Sequence, residues 1–227
     1  RGLGDVYKRQ IYEILLKSKY KSEYYLPEKL NPKIIFDIGG NIGITSIYLA
    51  KLFPDSLIYS FEPMPENFEI LQKNISQYKN IRAFNYGLGS KNGSFKVYLS
   101  SDPENYGGIS FYPDAHGNQE KSYISCEVKN VNEIINDLEV ESIDLIKIDT
   151  EGAEYDILST LKVDILRGTS WITGELHGNR DFELLDYLDS IGFSISFKKQ
   201  ICNRLSMFNA GRFEMLSQLN KKEIKIL

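Results

Sequence analysis

The sequence predicts an α/β fold with a mainly parallel sheet, helices on both faces and a C-terminal antiparallel hairpin. Apolar runs of strand length alternate along the chain with segments whose apolar residues recur at helical spacing. Strands that alternate with helices form parallel sheets with right-handed crossovers. The last two strand-like segments have no helix between them and are expected to pair with each other. With 227 residues, 42% of them hydrophobic, the chain can bury a sizeable core.

The first part of the chain predicts three strands and two helices. Residues 34–36 are apolar without alternation, which indicates a strand covered on both faces. The helical pattern that begins at Ile44 stops at Phe53, before a Pro-Asp pair. A second helix is expected to begin near Pro65, because proline is favoured in the first turn. The next two strands are predicted over residues 56–62 and 81–87.

The middle of the chain changes to an alternation of apolar and polar residues. This pattern over 94–100 and 122–128 predicts two half-buried, antiparallel strands. Residues 101–122 are rich in Asp, Asn, Gly, Pro and Ser and predict a long loop over one face of the domain. Such a loop is either a lid over a binding site or a disordered insert.

The alternation of strands and helices then resumes. Strands are predicted over 143–149 and 170–176, helices around 155–161 and 181–191, and the hairpin over 192–198 and 204–209. A helical segment is expected over 11–33 and a polar tail over 212–227. The first ten residues, "RGLGDVYKRQ", resemble translated adapter sequence and are set aside as a non-native leader.

Composition and charge exclude several classes of function. The net charge of −4 disfavours a nucleic-acid partner, because a general nucleic-acid binder is basic. The sequence has no apolar run of the roughly 18 residues that cross a membrane and opens with no signal-peptide pattern, so we expect a cytoplasmic protein. Cys126 and Cys202 lie far apart without metal-binding spacing, which argues against a zinc site and fits a reducing compartment.

The residues that follow the first predicted strand are candidates for ligand binding, because parallel sheets bind ligands beyond the carboxyl ends of their strands. Gly39, Gly40 and Gly43 let the backbone turn sharply and approach a ligand. Their spacing is not the GxGxxG pattern of dinucleotide sites, since Asn41 and Ile44 replace its second and third glycines. A tight turn without a ligand is the alternative.

Glu62 strengthens the prediction of a ligand. It closes the second predicted strand, where an acidic residue can accept hydrogen bonds from both hydroxyls of a ribose; an ordinary surface glutamate is the alternative. The glycine loop and this acid together predict a nucleoside-containing cofactor. The GxxxxGK[ST] motif of triphosphate sites is absent. The Tyr-xxx-Lys pair of short-chain dehydrogenases occurs only at Tyr25 and Lys29, before the first strand, so hydride transfer is disfavoured.

Four segments, "FDIGGNIGITSIYLA", "FEPMPENFEILQKN", "NYGLGSKNGSFKVY" and "IDLIKIDTEGAEYDIL", together resemble the FkbM-type methyltransferases. The resemblance covers about residues 30–210 and keeps the order of the motifs. It implies a Rossmann-like class I methyltransferase fold over 34–211, S-adenosylmethionine as cofactor, and methyl transfer to a hydroxyl of a sugar, glycan or secondary metabolite. Gly40 stands where the family usually has alanine, and we expect it to loosen the turn without removing its backbone contacts.

The resemblance also implies roles for individual residues. The loop 37–43 would hold the methionine end of the cofactor, Glu62 the ribose, and 85–88 the border of the adenine. Asp149 and Glu151 would face the methyl-donor side. The expected cofactor-binding residues are Asp37, Gly39, Gly40, Asn41, Gly43, Glu62, Pro63, Asn85, Gly87 and Leu88.

A general base should assist the transfer, because a protonated alcohol is a poor nucleophile. His177 is the leading candidate, since it lies just past a predicted strand and is one of two histidines. An ordinary loop histidine is the alternative. Asp149, Glu151 and Glu175 are the other candidates for the base. The spacing of these acids gives no support for a metal site, and none is predicted.

Two further expectations concern Lys147 and the long loop. Lys147 lies within an apolar strand and shares a face with Asp149. A buried lysine is costly unless paired, so we predict Asp149 or Glu175 as its partner, unless the strand frays and exposes it. In the loop that contains Tyr106 and His116, Tyr106 is expected to stack on a sugar ring of the acceptor.

Two rival functions stay open. The first is a methyltransferase fold that binds a glycan or a partner protein without turnover. The second is a nucleic-acid methyltransferase, but an enzyme acting on base amines should carry Asn/Asp-Pro-Pro-Tyr/Phe where this chain has "DTEG", and a basic surface. The sequence identifies neither the acceptor nor the oligomeric state.

Overall fold

The computed structural model describes residues 14, 24, 26–99, 109–110, 123–177, 180–199 and 206–211. The leader, most of the segment 11–33, the tail, and nearly all of the loop 101–122 with Tyr106 and His116 lie outside these residues. Within residues 26–33 the chain makes a turn at Glu28 and Lys29 and forms no helix.

A seven-stranded sheet forms the centre of the domain. Its strands are β1 (Ile34–Ile38), β2 (Leu57–Phe61), β3 (Ile81–Phe84), β8 (Leu145–Ile148), β9 (Trp171–Leu176), β10 (Ser194–Lys199) and β11 (Ser206–Gly211). The strand order is β10-β11-β9-β8-β1-β2-β3. The five strands from β9 to β3 are parallel, and β11 and β10 continue the β9 edge as an antiparallel hairpin. The mainly parallel sheet and its C-terminal hairpin are therefore confirmed.

A second sheet has four strands in the order β4-β7-β5-β6, with bounds β4 (Gly87–Gly89), β5 (Gly93–Leu99), β6 (Ile109–Ser110) and β7 (Tyr123–Asn130). β5 and β7 are antiparallel, as predicted. The strand predicted over 81–87 was too long, because the chain leaves the main sheet after Phe84. The side-chain amide of Asn85 donates to the carbonyl oxygen of Glu62 at 2.9 Å and ties the departing chain to the end of β2.

Six helices lie within the described residues: α1 (Ile44–Leu52), α2 (Pro65–Ile75), α3 (Val131–Asp137), α4 (Glu154–Thr160), α5 (Val163–Gly168) and α6 (Asp181–Ser190). α3 and α5 were not predicted. α3 begins because the side chain of Asn130 accepts hydrogen bonds from the amides of Asn132 and Glu133. Among the described residues as a whole, no helix is both long enough and apolar enough to cross a membrane.

Two apolar clusters cover the two faces of the main sheet. Phe36 and Ile38 of β1 pack into a cluster with residues of α3, α4 and α6. Ile35, whose side chain lies on the opposite face, packs with residues of α1 and α2. The alternation along a strand explains this division, because successive side chains point to opposite faces. Helices therefore cover both faces, as predicted.

On the α1 face, the side chains change from apolar to polar toward the carboxyl ends of the strands. Ile35 lies in register between Ile58 and Leu145, whereas Asp37, two residues further along, lies between Ser60 and Lys147. Another two residues along, the chain reaches the strand ends at Glu62, Gly39, Asp149 and Glu175. A buried polar row thus separates the core from an acidic edge, at the end of the sheet where ligands bind.

Candidate active site

The loop after β1 has a backbone that only glycine adopts easily. Gly39 and Gly43 have φ angles of 81° and 86°, in the left-handed region where side chains are strained. A β-carbon on Gly39 would also lie 1.8 Å from the carbonyl oxygen of Asp149. The amides of Gly39 and Gly40 both donate to the carbonyl oxygen of Phe61, at 3.0 and 2.9 Å. The loop is therefore held tightly between the ends of β2 and β8.

Gly40 leaves room for a serine on the neighbouring strand. A β-carbon at position 40 would lie 2.2 Å from Oγ of Ser60 and 3.0 Å from Cδ1 of Leu71. Ser60 is fully buried, and its Oγ is hydrogen-bonded to Oγ of Ser46 at 2.9 Å. The missing side chain at position 40 therefore leaves the space that the hydroxyl of Ser60 occupies.

Glu62 is buried beside the loop at the end of β2. Its Oε2 accepts a hydrogen bond from the amide of Asn41 at 2.8 Å, and its Oε1 accepts one from the amide of Met64 at 2.9 Å. Burial raises the pKa of the Glu62 carboxyl to about 7, although both hydrogen bonds lower it. A carboxylate offers about four acceptor positions, so Glu62 retains the capacity to accept from ribose hydroxyls.

Asn41 supplies a second acceptor beside Glu62. Its φ angle is 48°, and its buried Oδ1 accepts no hydrogen bond from any residue that the structure describes. An unsatisfied buried acceptor costs about 1–3 kcal/mol, so a donor on a bound ligand is favoured there. The ammonium and ribose hydroxyls of S-adenosylmethionine are such donors, and the loop residues fit this cofactor.

The residues expected to border the adenine lie close to Glu62 but differ in exposure. Half-buried Pro63 lies beside Gly87, where a β-carbon would be 3.6 Å from the proline ring. Asn85 uses its amide on the carbonyl oxygens of Glu62 and Pro63. Leu88 is buried in the main core, so only its backbone is placed to border a ligand.

Asp37 and Lys147 form a buried ion pair beneath the loop. Nζ of Lys147 lies 3.3 Å from Oδ1 of Asp37 and donates to the carbonyl oxygen of Gly39 at 2.6 Å. Burial lowers the pKa of Lys147, but the charges of Asp37 and Asp149 outweigh it and raise the pKa overall. Asp37 is itself fully buried and supports the loop from behind, and its contact with a cofactor stays a prediction.

The prediction for Lys147 was right about an acidic partner but wrong about its identity. The nearest carboxylate is Asp37 on the adjacent strand, which lies directly opposite Lys147 in the register of β1 and β8. Asp149 and Glu175 belong to the next row toward the strand ends. The alternative of a frayed strand is excluded, because Lys147 is 2% exposed.

All four candidates for the general base come together at the ends of β8 and β9. We call Asp149, Glu151, Glu175 and His177 the carboxylate-histidine cluster. Nε2 of His177 lies 3.7 Å from Oδ1 of Asp149, 3.6 Å from Oε2 of Glu151 and 3.6 Å from Oε2 of Glu175. The His177 side chain is 6% exposed, whereas those of Asp149 and Glu151 are 25% and 32% exposed. The imidazole therefore forms the floor of a cluster whose carboxylates reach solvent.

Glu154 organises this cluster, and the sequence analysis missed it. Its Oε1 accepts hydrogen bonds from the amides of Thr150 and Gly152, at 2.9 and 3.3 Å, and lies 3.3 Å from Nδ1 of His177. It thereby holds the turn that places Glu151, whose φ angle of 58° is strained for a residue with a side chain. Acidic residues are common in the first turn of any helix, so the sequence alone did not single out Glu154.

The crowding of carboxylates shifts the pKa values in the cluster. Burial opposes the charge on His177, but the hydrogen bond with Glu154 and the charges of Asp149 and Glu151 raise its pKa to about 10. Burial raises the pKa of Glu151 to about 8; positive His177 opposes this shift, and the charge of Asp149 adds to it. The cluster is therefore an anionic environment that favours a bound cation or a proton.

Tyr24 reaches the cluster from outside the sheet and was also missed. Its hydroxyl donates to Oδ2 of Asp149 at 3.1 Å, and its ring centre lies 5.6 Å from Nζ of Lys147. The side chain is buried in an apolar cluster with Ile42 and Met207. No periodic pattern surrounds Tyr24 in the sequence, so no signal pointed to this contact.

Comparison with known proteins gives one family and several relatives. A family model described as the methyltransferase FkbM domain matches residues 37–195. Methyltransferase 1 of Beauveria bassiana is 30% identical over 56% of the chain and 57% of its own length. The 2-O-methyltransferase NoeI of Sinorhizobium fredii is 27% identical over 78% of the chain and 79% of its own length. The hexuronic acid methyltransferase AglP of Haloferax volcanii is 25% identical, with 69% and 61% covered.

The chain spans less than two thirds of the length of Methyltransferase 1 and of AglP. Among solved structures, the methyltransferase FkbM of Methylobacillus flagellatus aligns with a TM-score of 0.56 and 18% identity. That alignment covers 80% of this chain and 43% of the other. A likeness at this identity shows the fold alone, and the fold is that of Rossmann-like methyltransferases.

Proposed function

Because the chain belongs to the methyltransferase FkbM family, we propose that it transfers a methyl group from S-adenosylmethionine to a hydroxyl oxygen. The observation that carries this proposal is the direct packing of the glycine loop against the carboxylate-histidine cluster. Gly39 lies so close to Asp149 that a β-carbon would be 1.8 Å from its carbonyl oxygen. A cofactor held by the loop therefore has its reactive end beside the cluster.

The loop and Glu62 would bind the cofactor. Glu62 accepts the ribose hydroxyls through the lone pairs that the amides of Asn41 and Met64 leave free. Oδ1 of Asn41 and the backbone of Gly39 to Gly43 receive the amino-acid part. Asn85, Gly87 and the backbone of Leu88 border the adenine.

The cluster would position and deprotonate the acceptor. When bound, the cofactor supplies an electrophilic methyl group on a sulfonium. Asp149 and Glu151 from one strand end, and Glu175 and His177 from the next, surround a hydroxyl placed in line with that methyl group. One oxygen of each of the three carboxylates lies within 3.7 Å of Nε2 of His177, so a hydroxyl beside this atom meets proton acceptors on several sides.

The acceptor would be a sugar, a glycan or another hydroxylated metabolite. The name of NoeI describes transfer to a 2-hydroxyl oxygen, and that of AglP describes a hexuronic acid as acceptor. The cluster presents carboxylates at its rim, which accept hydrogen bonds from neighbouring hydroxyls. These observations support a polyhydroxylated acceptor.

Isotope transfer tests this function. The protein is incubated with methyl-labelled S-adenosylmethionine and, separately, with oligosaccharides, hydroxylated natural products and total RNA. We expect label in a hydroxylated acceptor and none in RNA. Glu175→Gln should reduce transfer while cofactor binding by calorimetry stays unchanged, and exposed Glu141→Gln is the matched control. Cofactor binding without transfer to any pool would support a binding protein, and the absence of cofactor binding would contradict the proposal.

A further inference from the structure

We propose that Asp149, Glu151 and His177 form a binding site for one divalent cation, with Mn²⁺ the best-suited ion. One ligand atom from each residue lies within 4.8 Å of the other two. The three residues come from two strand ends and the turn that follows β8, so their spacing along the chain gives no metal motif. The fold alone brings them together.

The distances fit an ion after small movements of the side chains. Carboxylate oxygens and imidazole nitrogens bind such ions at about 2.0–2.2 Å, so two ligands on one ion are about 3–4 Å apart. Nε2 of His177 lies 3.7 Å from the nearest oxygen of Asp149 and 3.6 Å from that of Glu151. Both carboxylates are partly exposed, and Oδ1 of Asp149 faces Nε2 of His177 while its Oδ2 accepts the hydrogen bond from Tyr24.

The orientation of His177 is a second and independent observation. Its side chain is buried, its Nδ1 lies 3.3 Å from Oε1 of Glu154, and its Nε2 points into the cluster. The distances from Nε2 to the cluster carboxylates exceed the roughly 2.7–3.2 Å of ordinary hydrogen bonds. Metal-binding histidines are held in this way, since a carboxylate on one ring nitrogen fixes the tautomer whose other nitrogen binds the ion. Nε2 of His177 would release its proton to solvent when the ion binds.

Glu154 and Glu175 complete the surroundings of the site. Glu154 holds the amides of Thr150 and Gly152, and so fixes the turn that presents Glu151. Oε2 of Glu175 lies 3.6 Å from Nε2 of His177 and offers a further ligand or an acceptor for metal-bound water. The binding set is therefore supported by hydrogen bonds on the side away from the ion.

The mixture of ligands selects the type of ion. Carboxylates favour Mg²⁺, Ca²⁺ and Mn²⁺, whereas imidazole favours first-row transition ions. Mn²⁺ belongs to both groups and suits a site with two carboxylates and one imidazole. Cu²⁺ and Zn²⁺ are the strongest competitors, because affinity for such sites rises along the first row as far as Cu²⁺ and stays above that of Mn²⁺ at Zn²⁺.

The use of the ion in catalysis rests on the proposed function, whereas the binding site does not. An ion beside the cofactor loop would hold the acceptor oxygen and lower the pKa of its hydroxyl. A sugar with two adjacent oxygens could bind to it through both. This arrangement would explain why an acidic edge faces a polyhydroxylated acceptor.

Direct binding measurements test the site. The cofactor-free protein, treated with a chelator and desalted, is titrated with Mn²⁺, and free ion is followed by electron paramagnetic resonance. We expect one Mn²⁺ per chain, with affinity reduced at least about tenfold in Glu151→Gln and in His177→Gln. Exposed Glu141→Gln, the matched control, should bind as the wild type does. Thermal unfolding checks that each variant is folded, and Asp149→Asn replaces any variant that is not.

The outcomes separate the metal site from the proposed function. Unchanged affinity in the cluster variants, or no binding to the wild type, overturns the metal site, even if methyl transfer is observed in parallel. Site-dependent Mn²⁺ binding without methyl transfer to any acceptor supports the metal site and contradicts the proposed function. If Glu141→Gln loses as much Mn²⁺ affinity as the cluster variants do, Mn²⁺ binds elsewhere, and the proposed site is also overturned.

Discussion

The ammonium group of Lys147 donates a 2.6 Å hydrogen bond to the carbonyl oxygen of Gly39 and lies 3.3 Å from a carboxylate oxygen of Asp37. One buried cation therefore joins the central strand pair to the loop that would hold the cofactor. Asp37 in turn accepts a hydrogen bond from the hydroxyl of Ser46 in α1. One network of polar residues therefore fixes β1, the loop after it and α1. This network lies directly beneath the candidate active site.

Replacing Lys147 by methionine should destabilise the protein by about 3–5 kcal/mol, because it leaves Asp37 as an unpaired buried carboxylate. Urea unfolding measures the loss, with exposed Lys79→Met as the matched control. Adding Asp37→Asn to Lys147→Met should recover part of the stability, since the buried charge is then removed. A loss below about 1 kcal/mol in the single variant would contradict the role of the pair.

The sequence predicted the burial of Lys147 and its need for an acid, but not which acid. Burial follows from a local pattern, because Lys147 stands in an apolar run. The partner depends on which strand lies beside β8 and in which register, and β1 lies more than a hundred residues away in the chain. Such long-range register is not encoded in any local pattern.

The same distinction between local patterns and long-range contacts explains which other elements and residues the sequence predicted. The parallel strands and the longer helices carry sustained periodicity, which predicts them well. α3 and α5 have only seven and six residues, and their helical period is too short to stand out, although α4, which also has seven residues, was predicted. The catalytic candidates followed from the rule that parallel sheets bind ligands beyond the carboxyl ends of their strands. Glu154 and Tyr24 instead act through contacts that only the three-dimensional structure shows.

Gly40 and Ser60 should show energetic coupling. Gly40→Ala should cost about 1–3 kcal/mol, because the new methyl group would meet Oγ of Ser60 at 2.2 Å. In a Ser60→Ala background the nearest atom is Cδ1 of Leu71, 3.0 Å away at the end of a flexible side chain, so the same substitution should cost about 1 kcal/mol less. Unfolding of the two single variants and the double variant measures this coupling. If the losses in unfolding free energy of the two single variants simply add in the double variant, the loop moves to accept the methyl group.

Glu62 should make cofactor binding depend on pH. Its pKa of about 7 is raised by burial in the free protein, and hydrogen bonds from ribose hydroxyls favour the ionised form. Binding should therefore release a proton below pH 7, and the affinity for S-adenosylhomocysteine should fall about tenfold for each pH unit below 7. Calorimetry between pH 5.5 and 8, in buffers with different ionisation enthalpies, measures both effects.

The control for this prediction is Glu62→Gln, which keeps the shape of the side chain and removes its titration. Its affinity should be lower by about 10–100-fold at pH 8, because a charged hydrogen bond contributes about 1.5–3 kcal/mol. Its affinity should also not change between pH 6 and 8. If the variant keeps the wild-type pH dependence, another group titrates on binding and the role given to Glu62 is wrong.

Glu154 should act on the cluster in two separable ways. Glu154→Ala removes an oxygen that accepts from the amides of Thr150 and Gly152, and should destabilise the protein by about 2–4 kcal/mol with faster amide exchange at both residues. Glu154→Gln keeps that oxygen, so its stability should stay within about 1 kcal/mol of the wild type. It removes the charge beside Nδ1 of His177, however, and should slow methyl transfer about 10–100-fold. If both variants lose stability equally, the charge and not the hydrogen bonding holds the turn.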